Sequence, residues 1–246
     1  MEQSTKKIPT ISAYMSSIRP YRWMALYERI KQIGVPFEMV ILGPKNPDYE
    51  LPPEIRFYRT DVKPAQCQHV AALLCEGKYL LQMVDDLSYT PGSIEAMIEV
   101  QEDADSKQKK VMSTAVYTQN GVNYRAQMNI HGHPRPDLPL LPVCGCYPRA
   151  AFAEVGGFDK RFTGAMGELD LYQRLSQAGY ETIFVDGIVN EDLQYQNQEN
   201  TSLCGKWWGI DRPLFLNIWN IHTGQRNDEL QQYDNSNLDN LLSVNQ

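Results

Sequence analysis

Short apolar runs alternate with amphipathic stripes through the first 110 residues of the chain. Pro9 to Met15 reads as a strand. Tyr21 to Ile33 reads as a helix, because Trp23, Leu26, Tyr27, Ile30 and Ile33 recur at helical spacing before Gly34. Phe37 to Leu42 is an apolar strand closed by Gly43-Pro44, Ile55 to Tyr58 is a shorter one, and Ala65 to Cys75 is a helix ending near Gly77. Lys78 to Val84 then enters a central strand that ends on Asp85-Asp86. Thr90-Pro91 is expected to open the next helix, with Pro91 at its first position and Ile94, Met97 and Ile98 turned inward. A βαβ series of this kind predicts a mostly parallel sheet with helices on both faces and ligands at the carboxyl ends of the strands.

The rhythm breaks after the next strand, Val111 to Tyr117. Residues 129–148 hold five prolines, so irregular backbone bordering a substrate is expected there. Beyond the GGFD run at 156–159, a helix is predicted from about Glu168 to Ala178 and a strand from Thr182 to Val185. Residues 223–246 are rich in Asn, Gln, Asp and Ser and read as a peripheral tail, within which Leu238, Leu241, Leu242 and Val244 offer a short docking segment. The expected organisation is one α/β domain over 1–222, followed by the polar tail 223–246. Its regular alternating half covers about 9–110 and its elaborated half about 111–222.

Composition narrows the class. A chain of 246 residues with 42% hydrophobic content supports one substantial core. No apolar run approaches the roughly 18 to 20 residues of a membrane span. The start, MEQSTKKIPT, lacks a signal-peptide apolar segment, so a cytoplasmic location is expected, with peripheral membrane association left open. The five cysteines, at 67, 75, 144, 146 and 204, form no C-x-x-C pair and read as reduced thiols. A net charge of −7 argues against a broad nucleic-acid surface. Residues 1–60 nonetheless carry nine Lys/Arg against six Asp/Glu, a balance that suits a phosphate.

Two carboxylate stations stand out. Asp85 and Asp86 close an apolar strand where α/β sheets bind ligands, and adjacent carboxylates become favourable there when a divalent cation is shared. The same pair is also compatible with an ordinary solvated turn. Glu168 and Asp170 begin a helix whose packing face carries Leu171 and Leu175, a rigid mount for a general base; acidic first-turn decoration is the plainer alternative. Arg174 is spaced to pair with Asp170. Arg19, Lys63 and Lys206 are candidate phosphate or sugar contacts at segment junctions, with plain surface solvation as the alternative, and Trp207-Trp208 offers either a sugar-stacking face or a core anchor. His131 and His133 are a weak pattern for zinc.

Three segments carry a resemblance when taken in order: ISAYMSSIRP, KPAQCQHVAALLCEGKYLLQMVDD, and CGCYPRAAFAEVGGFDKRFTGAMGELDLYQRLSQAGY. Over about residues 9–210 the chain resembles family 2 glycosyltransferases of the A-type (GT-A), Rossmann-like fold. The resemblance implies inverting transfer of a sugar from a nucleoside-diphosphate donor, a UDP-sugar foremost, to an acceptor hydroxyl. It also implies Mn²⁺ or Mg²⁺ at the diphosphate, a nucleotide bound by the half at about 9–110, where Ser16, Ser17 and Arg19 help to hold it, and an acceptor met by the half at about 111–222. Glycans and lipid-linked glycans are the expected acceptors, with a nucleotide or DNA base not set aside. Asp86 matches the metal-binding Asp of a D-x-D element with Asp85 at its middle, and Val84 replaces its first carboxylate. Glu168 falls where the base Asp of Glu-Asp stands, with Gly167 replacing the Glu, and Asp170 follows as part of the same acidic turn. Glu191 or Asp192 falls near a position where many relatives carry a metal-contacting His. Two other classes compete: a sugar nucleotidyltransferase, whose glycine-rich basic loop is not visible, and a catalytically inactive binding protein of transferase descent.

Overall fold

The structure, a computed structural model, describes residues 8–119, 122–123, 140–191, 201–220 and 222–243. Sixteen named elements follow in chain order. The first eight are β1 (Ile11–Ser16), α1 (Trp23–Lys31), β2 (Phe37–Gly43), β3 (Ile55–Arg59), α2 (Pro64–Leu74), β4 (Tyr79–Gln82), β5 (Leu87–Tyr89) and α3 (Ser93–Ser106). Then come β6 (Val111–Gln119), β7 (Val122–Asn123), β8 (Cys146–Pro148), α4 (Arg149–Glu154), α5 (Gly167–Gln177), β9 (Glu181–Glu191), α6 (Thr201–Ile218) and α7 (Leu238–Leu242). The strands form one sheet in the order β3-β2-β1-β4-β8-β6-β9-β5, with β7 on β6. This is a Rossmann-like α/β domain of the GT-A type.

The first four strands of that order, β3-β2-β1-β4, are parallel throughout. Their apolar runs are continuous because both faces are covered. Along β1 and β2, Ile11, Ala13, Met15, Met39 and Ile41 pack with α1 and α3 on one side. Tyr14, Val40 and Leu42 pack with α2, α5 and α6 on the other, as a two-residue side-chain period requires. A short 3-10 turn at Pro20–Arg22 leads into α1, which buries Trp23, Leu26, Tyr27 and Ile30 as the helical stripe predicts.

Three expectations change. Thr90-Pro91 does not open a helix: Leu87–Tyr89 is a strand antiparallel to β9, and the Thr90 amide still bonds to the Ile188 carbonyl at 2.9 Å. The helix therefore starts at Ser93, behind Gly92 at φ +85°. The proline-rich stretch ends in regular structure, because Cys146–Pro148 lies antiparallel between β4 and β6 and makes the second half of the sheet mixed. Residues 124–139, with His131 and His133, lie outside the described residues. The predicted strand at 182–185 extends over Glu181–Glu191.

The segment after α6 docks instead of trailing. Trp219 pairs with Arg226, the Lys160 amide bonds to the Gln231 carbonyl at 2.8 Å, and Leu241 is buried in α7. Thr60 and Gln66 donate to the Leu242 and Leu241 carbonyls at 2.5 and 2.7 Å. The docking reading of Leu238, Leu241 and Leu242 is the one observed; Val244 lies outside the described residues. His69 holds the middle of this contact: its Nε2 lies 2.8 Å from Asn235, its Nδ1 accepts from the Phe158 amide at 3.2 Å, and its ring stacks on Tyr233. Cys67, Cys75, Cys144 and Cys146 are buried free thiols, as expected of reduced cysteines.

Burial lowers the His69 pKa from 6.5 to about 4, so the unfolded chain binds a proton over that window that the folded chain does not. Stability at this site is full above pH 6.5 and falls as the pH drops toward 4. Urea unfolding of wild type against His69→Gln should show the wild type losing about 3 kcal/mol relative to the variant across that range. Parallel pH curves for the two proteins would contradict this placement of His69.

Candidate functional site

The loops after β1, β2, β3 and β4 meet at the carboxyl edge of the parallel strands and enclose a cavity of about 490 Å³. Its wall includes Ser16 to Arg19, Gly43-Pro44, Lys63-Pro64 and Asp85-Asp86, with Thr163, Gly164 and Trp207 opposite in the chain. Gly43 is required by this convergence: a Cβ there would stand 1.9 Å from the Ser17 carbonyl oxygen. The position at the strand ends is the one where open α/β sheets bind nucleotides.

Asp85 organises the turn after β1. Its Oδ2 accepts from Ser17 Oγ at 2.7 Å and from the Ile18 and Arg19 amides at 2.9 and 3.0 Å. Its Oδ1 accepts from the Arg19 guanidinium at 2.5 Å. Trp23 Nε1 donates to Ser17 Oγ at 2.6 Å and so ties α1 to the same turn. This carboxylate is 4% exposed and is engaged on both oxygens, which makes it an anchor of the loop.

Asp86 stands differently. It is half-buried at the cavity wall, 3.8 Å from the Arg19 guanidinium. Burial raises its carboxyl above the ordinary value and the neighbouring Asp85 adds to this, with Arg19 opposing. The two adjacent carboxylates therefore divide the work: one holds the loop, the other faces the space.

Lys63 caps α2 and donates to the Lys160 carbonyl. Burial holds its ammonium below the ordinary lysine value, against Asp211 and Asp159. The Thr163 carbonyl accepts from the Ala65 amide at 2.9 Å, which joins this corner to the loop before α5. Asp211 of α6, fully buried, accepts from the Thr163, Gly164 and Ala165 amides at 2.8 to 3.0 Å. It fixes the approach to the helix. Met166 then takes a left-handed φ of 60° as the N-cap, a conformation disfavoured for a non-glycine residue and held by its surroundings.

Glu168 follows in the first turn of α5, half-buried. Burial raises its carboxyl and Asp211 adds to the effect, while a backbone hydrogen bond opposes. Glu168 does not line the cavity, though Thr163 and Gly164, which lead into its turn, do. The buried Cys144 thiol is pushed up by desolvation, with the charges of Glu168 and Asp86 adding to the effect.

Asp170 is placed elsewhere. It is fully buried, accepts from Trp219 Nε1 at 3.0 Å, and pairs with Arg174 at 2.9 Å and with Arg226. Both oxygens are held by cations and the Trp219 indole, and Asp170 does not line the cavity, an arrangement that anchors the start of α5. Lys206 lies in α6 with its side chain outside the described residues, and Asp192 is also outside them. The register sets the Glu191 backbone opposite Leu87, next to Asp86, but its side chain is not described. Among the described residues no three His, Cys, Asp or Glu side chains converge on one point. Of the carboxylates expected at a metal, Asp85 and Asp86 line the cavity, where Asp61 joins them, while the side chains of Glu191 and Asp192 lie outside the described residues.

Asp211 and Arg226 escaped the sequence reading. A lone acid amid the apolar stretch GIDRPLFL was the signal for Asp211, since a buried carboxylate needs donors. Arg226 gives no comparable signal.

No protein-family model matches the chain, and no curated protein matches it. Solved structures do. The fold is similar to S. aureus TarS, with a TM-score of 0.55 at 12% identity over 74% of this chain and 36% of that one. For the TarS segment 1–349 the TM-score is 0.54 at 13% identity, over 85% and 71% of the two chains. The same segment in complex with UDP-GlcNAc gives 0.53 at 12%, over 74% and 59%. The chain thus spans about a third of the longest of these, and the likeness is one of fold. Among the described residues no helix is long and apolar enough to cross a membrane.

Asp85→Ala would leave a buried guanidinium and three donors without their acceptor. Chemical denaturation should show a loss of about 3–5 kcal/mol, the cost of breaking a buried ion pair. A change within about 0.5 kcal/mol, typical of a solvated surface turn, would contradict the anchor.

Proposed function

We propose that the protein is a nucleotide-sugar-dependent glycosyltransferase that takes a UDP-sugar donor into the cavity between the β1 turn, Lys63 and Asp86. The observation that carries this reading is that cavity, placed at the carboxyl ends of four parallel strands with cations and carboxylates in its wall. Its support is the fold shared with a TarS segment that has been determined in complex with UDP-GlcNAc. The nucleotide lies against Ser16 to Arg19. Arg19 and Lys63 face the diphosphate, and the N-terminal end of α2 adds its favourable dipole. Asp86 is the described carboxylate placed to meet a Mn²⁺ or Mg²⁺ ion carried in on that diphosphate. Lys206, one residue before Trp207 in the chain, is a further candidate contact for the donor.

Chemistry is a single inverting displacement. Glu168 takes the proton of the acceptor hydroxyl as its oxygen attacks the anomeric carbon, and the bond to the departing UDP breaks on the opposite face. Trp207 offers an aromatic wall to the sugar. The acceptor is a hydroxyl-bearing glycan or lipid-linked glycan approaching from the side of residues 111–222.

UDP release from a panel of UDP-sugars, with and without added hydroxyl acceptors, tests this. Wild type is expected to release UDP, with Asp86→Ala and Glu168→Gln each slowed by about 100-fold, within the range of a lost general base. Because the Glu168 carboxyl is raised, activity should fall with decreasing pH through a limb above the ordinary 4.5, and that limb should vanish in Glu168→Gln. Full activity in both variants would overturn the residue roles; release of pyrophosphate would assign nucleotidyl transfer instead.

A further inference from the structure

Arg226 joins two buried carboxylates that come from either end of the segment leading into the proposed base. Its guanidinium reaches Asp159 Oδ2 at 2.5 Å and also Asp170 Oδ1, both on residues with 0% exposure. Asp159 closes the GGFD turn, and Asp170 stands two residues after Glu168. The Arg226 guanidinium lies 5.5 Å from the Trp219 ring, and the turn between the two is closed by Asn220 N to the Gln225 carbonyl at 2.8 Å and Asn227 N to the Ile218 carbonyl at 2.6 Å. The end of α6 therefore delivers Arg226 in one orientation.

The same strap is fastened at its other end to α2. Asn235 meets His69, and the Leu241 and Leu242 carbonyls meet Gln66 and Thr60. Lys63 and Pro64, at the start of α2, form part of the cavity wall. One stretch of chain is thus tied both to the donor wall and to the helix that carries Glu168.

We propose that Arg226 is a positioning residue: it sets the first turn of α5, and hence the Glu168 carboxylate, against the donor cavity. The inference rests on the reading of Glu168 as the base. The turn it steadies contains the left-handed Met166, a conformation that persists only where neighbours over-determine it. Arg174 does not substitute, since its nitrogens serve the Val155 and Gly157 carbonyls and the far oxygen of Asp170. Arg161 serves Asp159 and Asp228. A planar fork that spans two carboxylates is a geometry that lysine, a point donor, does not reproduce.

The experiment compares wild type with Arg226→Lys in the full chain by hydrogen–deuterium exchange, calorimetric titration with UDP, and the rate of UDP release from UDP-GlcNAc. In the variant, amides of 163–170 are expected to exchange about tenfold faster while those of β1 and β2 keep their protection. UDP affinity should stay within about twofold, and UDP release should slow by about tenfold or more, the cost of a misplaced base. Unchanged exchange at 163–170, or a loss of UDP affinity in step with the rate, would overturn the proposal. If Arg226→Lys fails to fold, Asp159→Asn weakens one arm of the clamp and is read by the same three criteria. Absence of UDP binding by wild type would instead count against the transferase reading, while the exchange result still judges the clamp.

Discussion

A carboxylate that leaves water must find donors, and Asp85 finds four of them in three consecutive residues of the β1 turn. Much of the cavity follows from that constraint. The turn is drawn across the end of β4, Arg19 is pulled inward until it is 5% exposed, and Trp23 is brought onto Ser17 so that α1 packs at a fixed height. Gly43 then has to pass the Ser17 carbonyl with no side chain between them. With Asp85 spent on structure, Asp86 is left to present its charge to the cavity.

The opposite wall obeys the same rule with different partners. Asp211 gathers three amides before α5, and Asp159 and Asp170 are sealed by Arg161, Arg174 and Arg226. Buried ion pairs of this sort contribute little net stability, yet each is costly to break, so they serve to select one arrangement of the loops. Between the walls runs a buried polar chain in which Gly145 N donates to Tyr172, Tyr172 to Gln82, and Gln68 accepts from Gln82. It connects α5, β4 and α2 beneath the cavity floor.

How far the sequence foretold this depends on the range of the interactions. The strands β1, β2 and β4 were legible because burial on both faces writes an unbroken apolar run, and α1 and α5 because their stripes are local. The three-residue strands β5 and β8 were not: each owes its conformation to partners distant in the chain, and pairing of that kind overrides the helix-start signal of Thr90-Pro91 and the irregular backbone expected up to Pro148. The site shows the same division. Asp85-Asp86 and Glu168 were visible from their positions at element ends, whereas the separate duties of the two aspartates depend on which of them the β1 turn reaches. Asp170 read as chemistry because it shares a turn with Glu168. Its anchoring partners, Arg226 and Trp219, come to it from beyond the end of α6, where no local pattern announces them.

The central claim is spatial: a nucleoside diphosphate lies between the β1 turn, Lys63 and Asp86, with its sugar toward Trp207 and Glu168. Crystals soaked with UDP-GlcNAc, with and without Mn²⁺, test it most directly. The account predicts diphosphate density beside Arg19 and Lys63 and a sugar ring on the side of Trp207. Density elsewhere on the molecule, with this cavity left to solvent at saturating donor, would contradict it.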